Sequence, residues 1–490
     1  MATISSTSST AGPALTSLGV GSGLDAETIV TKLVALERQP ITQLQTQASK
    51  IQSKISVFGK IQSAVSTLRD AAAKLTSPDL WSSTTATSSD SSVAFTTSAG
   101  AVSGNYNVSV SALAAGQAVV SKTILSSSAA TLGAGTLTLE VGSWSAGAFT
   151  GKTGTSAVNV TIDAADSLET IRDKINGSGA GVKASIINDA SGARLVMNSA
   201  TTGASNGFRV TTTDADGNNT DAAGLSALAY DPASSTAGTT LTQAASNAAA
   251  TVNGVDITSE SNTFSNVLTG ISIAVNKVTT APVSVAVAQD NTTITKAITD
   301  FATAYSALDS LLKTNTKYDD STKTAAALQG DSTAISLISQ LRSMLGSNTT
   351  ASTVFTNLSS IGLETQSGGA LTVNNTKLTS ALGNLAEMKK MFAAADLTGG
   401  GADGIATKFR SLADNLLGVE GAITTRTAGL NTSVTNNQKR QDALEARSVL
   451  YEKRLRAQYT ALDKTMATIS TQSSYVTQMI SAYNKTSNSS

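Results

Sequence analysis

The chain has 490 residues, room for roughly three domains at about 150 residues each, and its 34 basic residues balance 34 acidic ones with only 14% of positions charged. That balance leaves no basic surplus to neutralise phosphates, which argues against a nucleic-acid partner. Cysteine and histidine are both absent, so thiolate catalysis, Cys-ligated zinc, disulfides and every His-dependent triad or metal site are excluded.

The opening "MATISSTSSTAGPALTSLGVGSGLD" has neither a positive n-region nor an apolar h-region. It reads as a disordered Ser/Thr-rich arm, not as a secretory signal of the usual kind. No run of about 18 apolar residues follows, which argues against a membrane span. Asp25 can cap a helix beginning "DAETIVTKLVALERQ", with Ile29, Leu33 and Leu36 on one side. Pro40 is expected to interrupt it, since proline lacks an N–H and disfavours helix in the residue before it. A second helix carries Ile41, Leu44, Ala48, Ile51, Ile55 and Phe58 at spacings of three and four. Its stripe continues through Ile61, Val65, Leu68, Ala72 and Leu75 to "TSPDLW".

Between roughly residues 81 and 289 the period changes to two. "NYNVSVSAL" alternates Tyr106, Val108 and Val110 with small polar residues, and "TLTLEV", "VNVTI", "ISIAVNKV" and "VSVAV" repeat the pattern. One helix interrupts, "DSLETIRDKINGSGAG". Asp166 is expected at its cap with Glu169 three residues on, Leu168, Ile171 and Ile175 on its apolar face, and Asn176-Gly177 at its end.

After about residue 290 the helical period returns. Ile294, Ile298, Phe301, Tyr305, Leu308 and Leu312 form one stripe; Ile335, Ile338, Leu341 and Leu345 form a shorter one after Asp331. Ile405, Phe409, Leu412, Leu416, Val419 and Ile423 form another, and "LTGGGADG" before it is a loop by composition. The stripes at 294–312 and 405–423 are expected to be intramolecular core. The last helix differs: Leu455, Tyr459, Leu462, Met466, Ile469, Val476, Ile480 and Tyr483 make one narrow seam, broken at Ser473, with Ser, Thr, Gln, Asn and Ala elsewhere. A seam so narrow is that of a coiled-coil partner. Such a helix is marginal in water until its apolar edge is covered. The N-terminal helix or neighbouring subunits are expected to cover it, with Ile41, Leu44, Ile51, Ile55 and Phe58 as the matching edge.

Candidate chemistry is thin. "GVGSGLD" and "GGGADG" lack the Lys-Ser/Thr ending of a phosphate loop, and "DADGNNTD" (214–221) misses the calcium-loop register, so it reads as a surface turn. Asp25, Asp166 and Asp331 read as caps and Glu452 with Arg456 as an i,i+4 pair, leaving few acids for a glycosidase. No catalytic, cofactor or metal residue is proposed, and the chain is not expected to be an enzyme.

Several stretches resemble the flagellar hook-associated protein 2 (FliD) family. They are "LGVGSGLDAETIVTKLVALERQPITQLQTQASKIQSKIS", "VNGVDITSESNTFSNVLTGISIAV" followed by "VSVAVAQDNTTITKAITDFATAYSAL", then "LQGDSTAISLISQLRSML" and "IGLETQSGGALTVNNTKLTSAL". "VTIDAADSLETIRDKINGSGAGVKASIINDASGARLVMNSATTGASN" looks like the flagellin hook IN motif. Ser306 departs from the family, whose members commonly have Asn after the AY pair. The resemblance covers nearly the whole chain.

It implies a multidomain α+β fold in which terminal helices form a coiled-coil stalk and a helical domain, with two inserted β-rich domains. Residues 1–40 would be the disordered arm and a terminal helix pairing with the coiled-coil helix 440–490. Residues 41–80 and 290–439 would form a helical leg, 81–125 and 240–289 a β-rich domain, and 126–239 an outer β-rich domain with the hook IN motif. The family's function is to cap the bacterial flagellar filament as a homo-oligomeric ring, pentamer-like by resemblance, that promotes flagellin polymerisation. Expected partners are flagellin, the hook–filament junction protein and a flagellar export chaperone; the expected location is secreted, at the flagellum tip. The rival functions are a tip adhesin binding host mucin or glycans through the outer β domains, a cell-wall glycosidase, and another hook-associated subunit.

Overall fold

The computed structural model describes residues 25–234, 236–395 and 402–487. The disordered arm, the glycine stretch at 397–401 and the side chain of Tyr483 therefore lie outside the described residues. Helices dominate both ends of the sequence and antiparallel sheets its middle, giving an α+β chain. The helices are α1 (Ala26–Thr76), α2 (Pro78–Trp81), α3 (Leu168–Gly177), α4 (Asn291–Thr316), α5 (Ser332–Leu345), α6 (Asn375–Ala381), α7 (Leu385–Ala393), α8 (Ile405–Leu417) and α9 (Ala422–Ser487). Two compact units form: one from residues up to Thr76 and from Ala297 onward, the other from Ser77–Lys296.

The Ser77–Lys296 unit has two hydrophobic cores. One joins a five-stranded sheet, ordered Thr84–Ser88, Val283–Gln289, Gly104–Ala112, Ala248–Val252, Val255–Ser259, to a three-stranded sheet through Val108, Val285, Phe264 and Ile273. The inward residues fall on alternate positions of Gly104–Ala112 and Val283–Gln289, as period two requires. The second core gathers Leu137, Leu139, Phe208, Val210 and Leu195 from two further sheets, and α3 adds Leu168, Ile171 and Ile175. Here the capping expectation needs correction: Ser167, not Asp166, caps α3 by accepting from the Thr170 N–H. Asp166 lies one residue too early; it accepts from the Asp163 N–H and pairs with Lys174, while Glu169 accepts from the Ser128 hydroxyl. The loop at 214–221 uses its acids on nearby backbone, Asp216 accepting from the Asn218 N–H within it and Asp214 from the Ser226 N–H beyond it.

In the helical unit, α1 runs unbroken through Pro40, contrary to expectation. Proline removes one N–H, but Leu36, whose carbonyl loses that partner, is exposed to water. Just before Pro40, Glu37 pairs with Arg447 and Arg38 with Glu445, tying α1 to α9. Farther along, Phe58, Ile61, Val65, Leu68, Ala72 and Leu75 are buried. So is the whole α4 stripe from Ile294 to Leu312. Two stripes depart from the periodic reading. On α5 the buried face is Ala334, Leu337, Leu341 and Leu345, and Ile335 is exposed. The 405–423 stripe is divided between helices: α8 stops at Leu417, and Val419 sits in the turn at 92% exposure. Gly418 and Gly421 make that turn; a Cβ on Gly421 would come within 2.3 Å of the Leu416 carbonyl oxygen. Asp331 caps α5 through the Thr333 and Ala334 N–H groups and also accepts two hydrogen bonds from the Arg426 guanidinium, its own side chain fully buried.

Helices α1 and α9 are antiparallel, as three cross-pairs fix: Arg38 with Glu445, Glu37 with Arg447, and Glu27 with Arg456 at 2.7 Å. Between them Val30, Val34 and Leu455 are buried, with Leu33, Tyr451 and Tyr459 packed alongside. The edge of α1 that faces α9 is thus Val30 and Val34 with the half-buried Leu33; of the expected Ile29, Leu33 and Leu36 only Leu33 belongs to it, and Ile29 and Leu36 are exposed. Arg456 also donates a hydrogen bond to Glu452, one turn earlier on α9.

Two measurements test this frame. Arg426→Ala leaves the buried Asp331 carboxylate with only its cap N–H groups and should destabilise the helical unit by roughly 2–3 kcal/mol. Chemical denaturation followed by far-ultraviolet circular dichroism reads this directly, and an unchanged midpoint would refute the assigned role. Hydrogen bonds from Arg456 hold the Glu27 carboxyl below its ordinary value of 4.5. A depressed carboxylate contributes above its unfolded value and loses that contribution as pH falls through the lowered one. Amide protection at residues 26–34 should therefore decline below about pH 4.5, and Glu27→Gln should remove that pH dependence.

Candidate assembly interface

The register of α1 against α9 sorts twelve of the thirteen seam residues into three groups, the side chain of Tyr483 lying outside the described residues. Phe58 is 1% exposed and Ile41 8%, so both are covered within the single chain and leave nothing for a neighbour. Leu44, Ile51 and Ile55 on α1, and Tyr459 on α9, are half-buried. Leu455 is 8% exposed, taken up by Val30 and Val34.

Beyond Tyr459 the picture changes. Glu27 sits opposite Arg456, and α1 begins at Ala26. From Leu462 onward the apolar edge of α9 lies open among the described residues. Leu462, Met466, Ile469, Val476 and Ile480 are all exposed, Ile469 at 52% and Ile480 at 56%. A helix with 66 residues lies against one with 51, and its last turns project apolar side chains into water. Tyr475 and Met479, four apart, add a second exposed row that widens the patch past the narrow seam read from sequence. The i,i+4 spacing was the available signal. The cross-pairing acids and bases carried no such signal, because each lies more than 400 residues from its partner.

The face away from the seam is chemically quiet. The hydroxyls of Thr460, Thr465, Thr468, Thr471, Thr477 and Ser481 each donate to the carbonyl four residues earlier. Those groups are satisfied inside the helix and need no partner. What remains for recognition is apolar area along one edge. In the β-rich unit, the Trp144 indole N–H donates to the Phe208 carbonyl and its ring packs on Phe149 and Tyr230. Among the described residues no cluster of three or more acidic, Cys or His side chains could hold a metal, and no helix is long and apolar enough to cross a membrane.

Comparison with known proteins agrees with this architecture. Family models match in three places: "Flagellar hook-associated protein 2 N-terminus" at residues 22–117, "Flagellin hook IN motif" at 148–201 and "Flagellar hook-associated protein 2 C-terminus" at 245–471. Flagellar hook-associated protein 2 of Escherichia coli K12 is 33% identical over 476 residues, covering 95% of this chain and 97% of the relative. The B-type protein of Pseudomonas aeruginosa is 30% identical, covering 91% and 93%. The crystal structure of the D1-D2-D3 domains of the Escherichia coli flagellar cap protein FliD superposes with a TM-score of 0.62 at 33% identity, over 76% of this chain and 99% of that one. Terminal helices flanking β-rich inserts, matched end to end at this identity, place the chain in the flagellar hook-associated protein 2 family, the FliD cap proteins of the bacterial flagellum.

Proposed function

We propose that the chain caps the flagellar filament as a homo-oligomeric ring at its distal end, holding arriving flagellin until it adds to the fibre. In this reading the protein leaves the cell through the flagellar export apparatus with the help of an export chaperone, first meets the hook–filament junction protein, and works outside the cell at the tip. Residues 440–490 with the terminal helix make the stalk, 41–80 with 290–439 the leg, and 81–125 with 240–289 and 126–239 the two β-rich domains. One observation carries it: the exposed edge Leu462, Met466, Ile469, Val476 and Ile480 at the end of α9. Contiguous apolar surface of that kind marks an interaction site.

The work is mechanical and needs no reacting group. A cap must hold the fibre end yet shift as each subunit is added, which favours a contact of limited area with fast dissociation. A narrow apolar edge backed by self-satisfied hydroxyls has that character. The glycan-binding alternative has no comparable support, since the aromatic rings around Trp144 are packed against one another.

Ile469→Asp tests the reading, because a charge set into the assembled seam is expected to cost several kcal/mol. Ile469 is exposed in the single chain, so the subunit should melt as the wild type does. Electron micrographs should show rings for the wild-type protein and none for the variant. Cells carrying the variant as their sole cap gene should release unpolymerised flagellin and bear short filaments. A normal filament length distribution would rule out the role of this edge.

A further inference from the structure

A pocket of about 360 Å³ opens in the helical unit between α4, α5 and the hairpin of Leu363–Thr365 with Leu371–Val373. Tyr305 lines it, fully buried, its hydroxyl without a hydrogen-bond partner among the described residues. Burial pushes that hydroxyl up to about 12, so it stays protonated and can only be satisfied as a donor or acceptor of a hydrogen bond. Arg342 lines the same pocket, is exposed, and makes no ion pair among the described residues. Leu345 adds an apolar wall.

The hairpin wall is built in. Ser306 accepts from the Leu371 N–H at 2.8 Å and reaches the Leu371 carbonyl at 3.2 Å, pinning the hairpin to α4. Gly369, at φ +83°, lets the hairpin turn pass over Lys313, whose Nζ would lie 2.6 Å from an added Cβ. Lys313 is itself paired with the buried Asp309, so that carboxylate is neutralised and Arg342 sets the sign of the pocket. An acidic group is what this arrangement lacks.

The same unit offers such a group at another place. The turn Gly418–Gly421 presents Val419, 92% exposed, and Glu420, exposed and without an ion-pair partner among the described residues. The Gly421 N–H donates to the Gly418 carbonyl, which fixes the turn. Within its own chain the turn does not line the pocket. The start of α9 next to the turn is held at the Asp331 end of α5 by Arg426, whereas Arg342 lies eleven residues along that helix, roughly 16 Å away.

We propose that the Val419–Glu420 turn of one copy seats in the Tyr305–Arg342 pocket of the next, a head-to-tail contact between subunits of the ring. Glu420 pairs with the Arg342 guanidinium, whose planar fork suits a carboxylate, and Val419 lies toward Leu345. Because turn and pocket are different surfaces, the contact is heterologous: it propagates from copy to copy and closes when the rotation permits. This inference rests on the ring reading above and supplies it with a specific junction.

Charge reversal tests it in the full-length chain. By sedimentation velocity, Arg342→Glu and Glu420→Arg should each weaken self-association about tenfold or more, and the double variant should recover it. In an equimolar mixture of the two single variants every turn again meets a pocket of opposite charge when the copies alternate, so association should recover as it does in the double variant. Both side chains are exposed, so circular dichroism should be unchanged. If the wild type associates and the variants associate equally well, or the double variant fails to recover, the junction is wrong and the ring reading stands. A wild-type chain that stays monomeric at every concentration overturns both.

Discussion

The antiparallel register of α1 and α9 is the constraint on which the helical unit depends. Three charge pairs, at Glu27, Glu37 and Arg38 of α1, lock it over a stretch where the apolar contact is small, only Val30, Val34 and Leu455 being fully covered. Exposed pairs are individually weak, but they decide which of several similar helical registers is adopted. With the register fixed, the part of α9 beyond Tyr459 lies past the start of α1 at Ala26. The exposed edge from Leu462 to Ile480 is therefore a consequence of pairing, not a separate feature.

The same register explains how α1 survives Pro40. Charge pairs immediately before the proline tie that turn to α9, so the missing N–H is a local defect in a helix supported from outside. Farther along α1 the support becomes hydrophobic, with Phe58 and the stripe to Leu75 sunk in the unit's core. One helix thus goes from electrostatic pairing at its start to core packing at its end. That gradient leaves its beginning the part most easily loosened, where local stability is set by few buried contacts.

Neutral composition and back-bonded hydroxyls give this protein surfaces that do not adhere by default. Threonine and serine side chains on both long helices return their hydrogen bonds to their own backbone, as Thr46 and Ser49 do on α1 and Thr468 and Thr477 on α9. Against that background, a few unsatisfied groups stand out: the apolar edge of α9, the buried Tyr305 hydroxyl with the free Arg342, and the Val419–Glu420 turn. Their separation on the unit suits an assembly in which a subunit touches its neighbours through one kind of surface and the fibre through another.

Much was legible along the chain, because amphipathic period is a local property. The change from helical to alternating spacing and back, the inward faces of Gly104–Ala112 and Val283–Gln289, the α4 stripe and the Asp331 cap all follow from neighbours within a few residues. Where local rules compete, sequence chose wrongly: Ser167 displaced Asp166 at the α3 cap by one position, and Val419 fell in a turn because two glycines ended α8 before the stripe did. Tertiary structure alone decided which apolar residues of one unbroken stripe are core and which are free. Phe58 and Ile469 look alike in sequence, yet one is sealed and the other open. The reason is physical: burial depends on what lies opposite, and the partners that settle it, such as Glu27 for Arg456, stand hundreds of residues away.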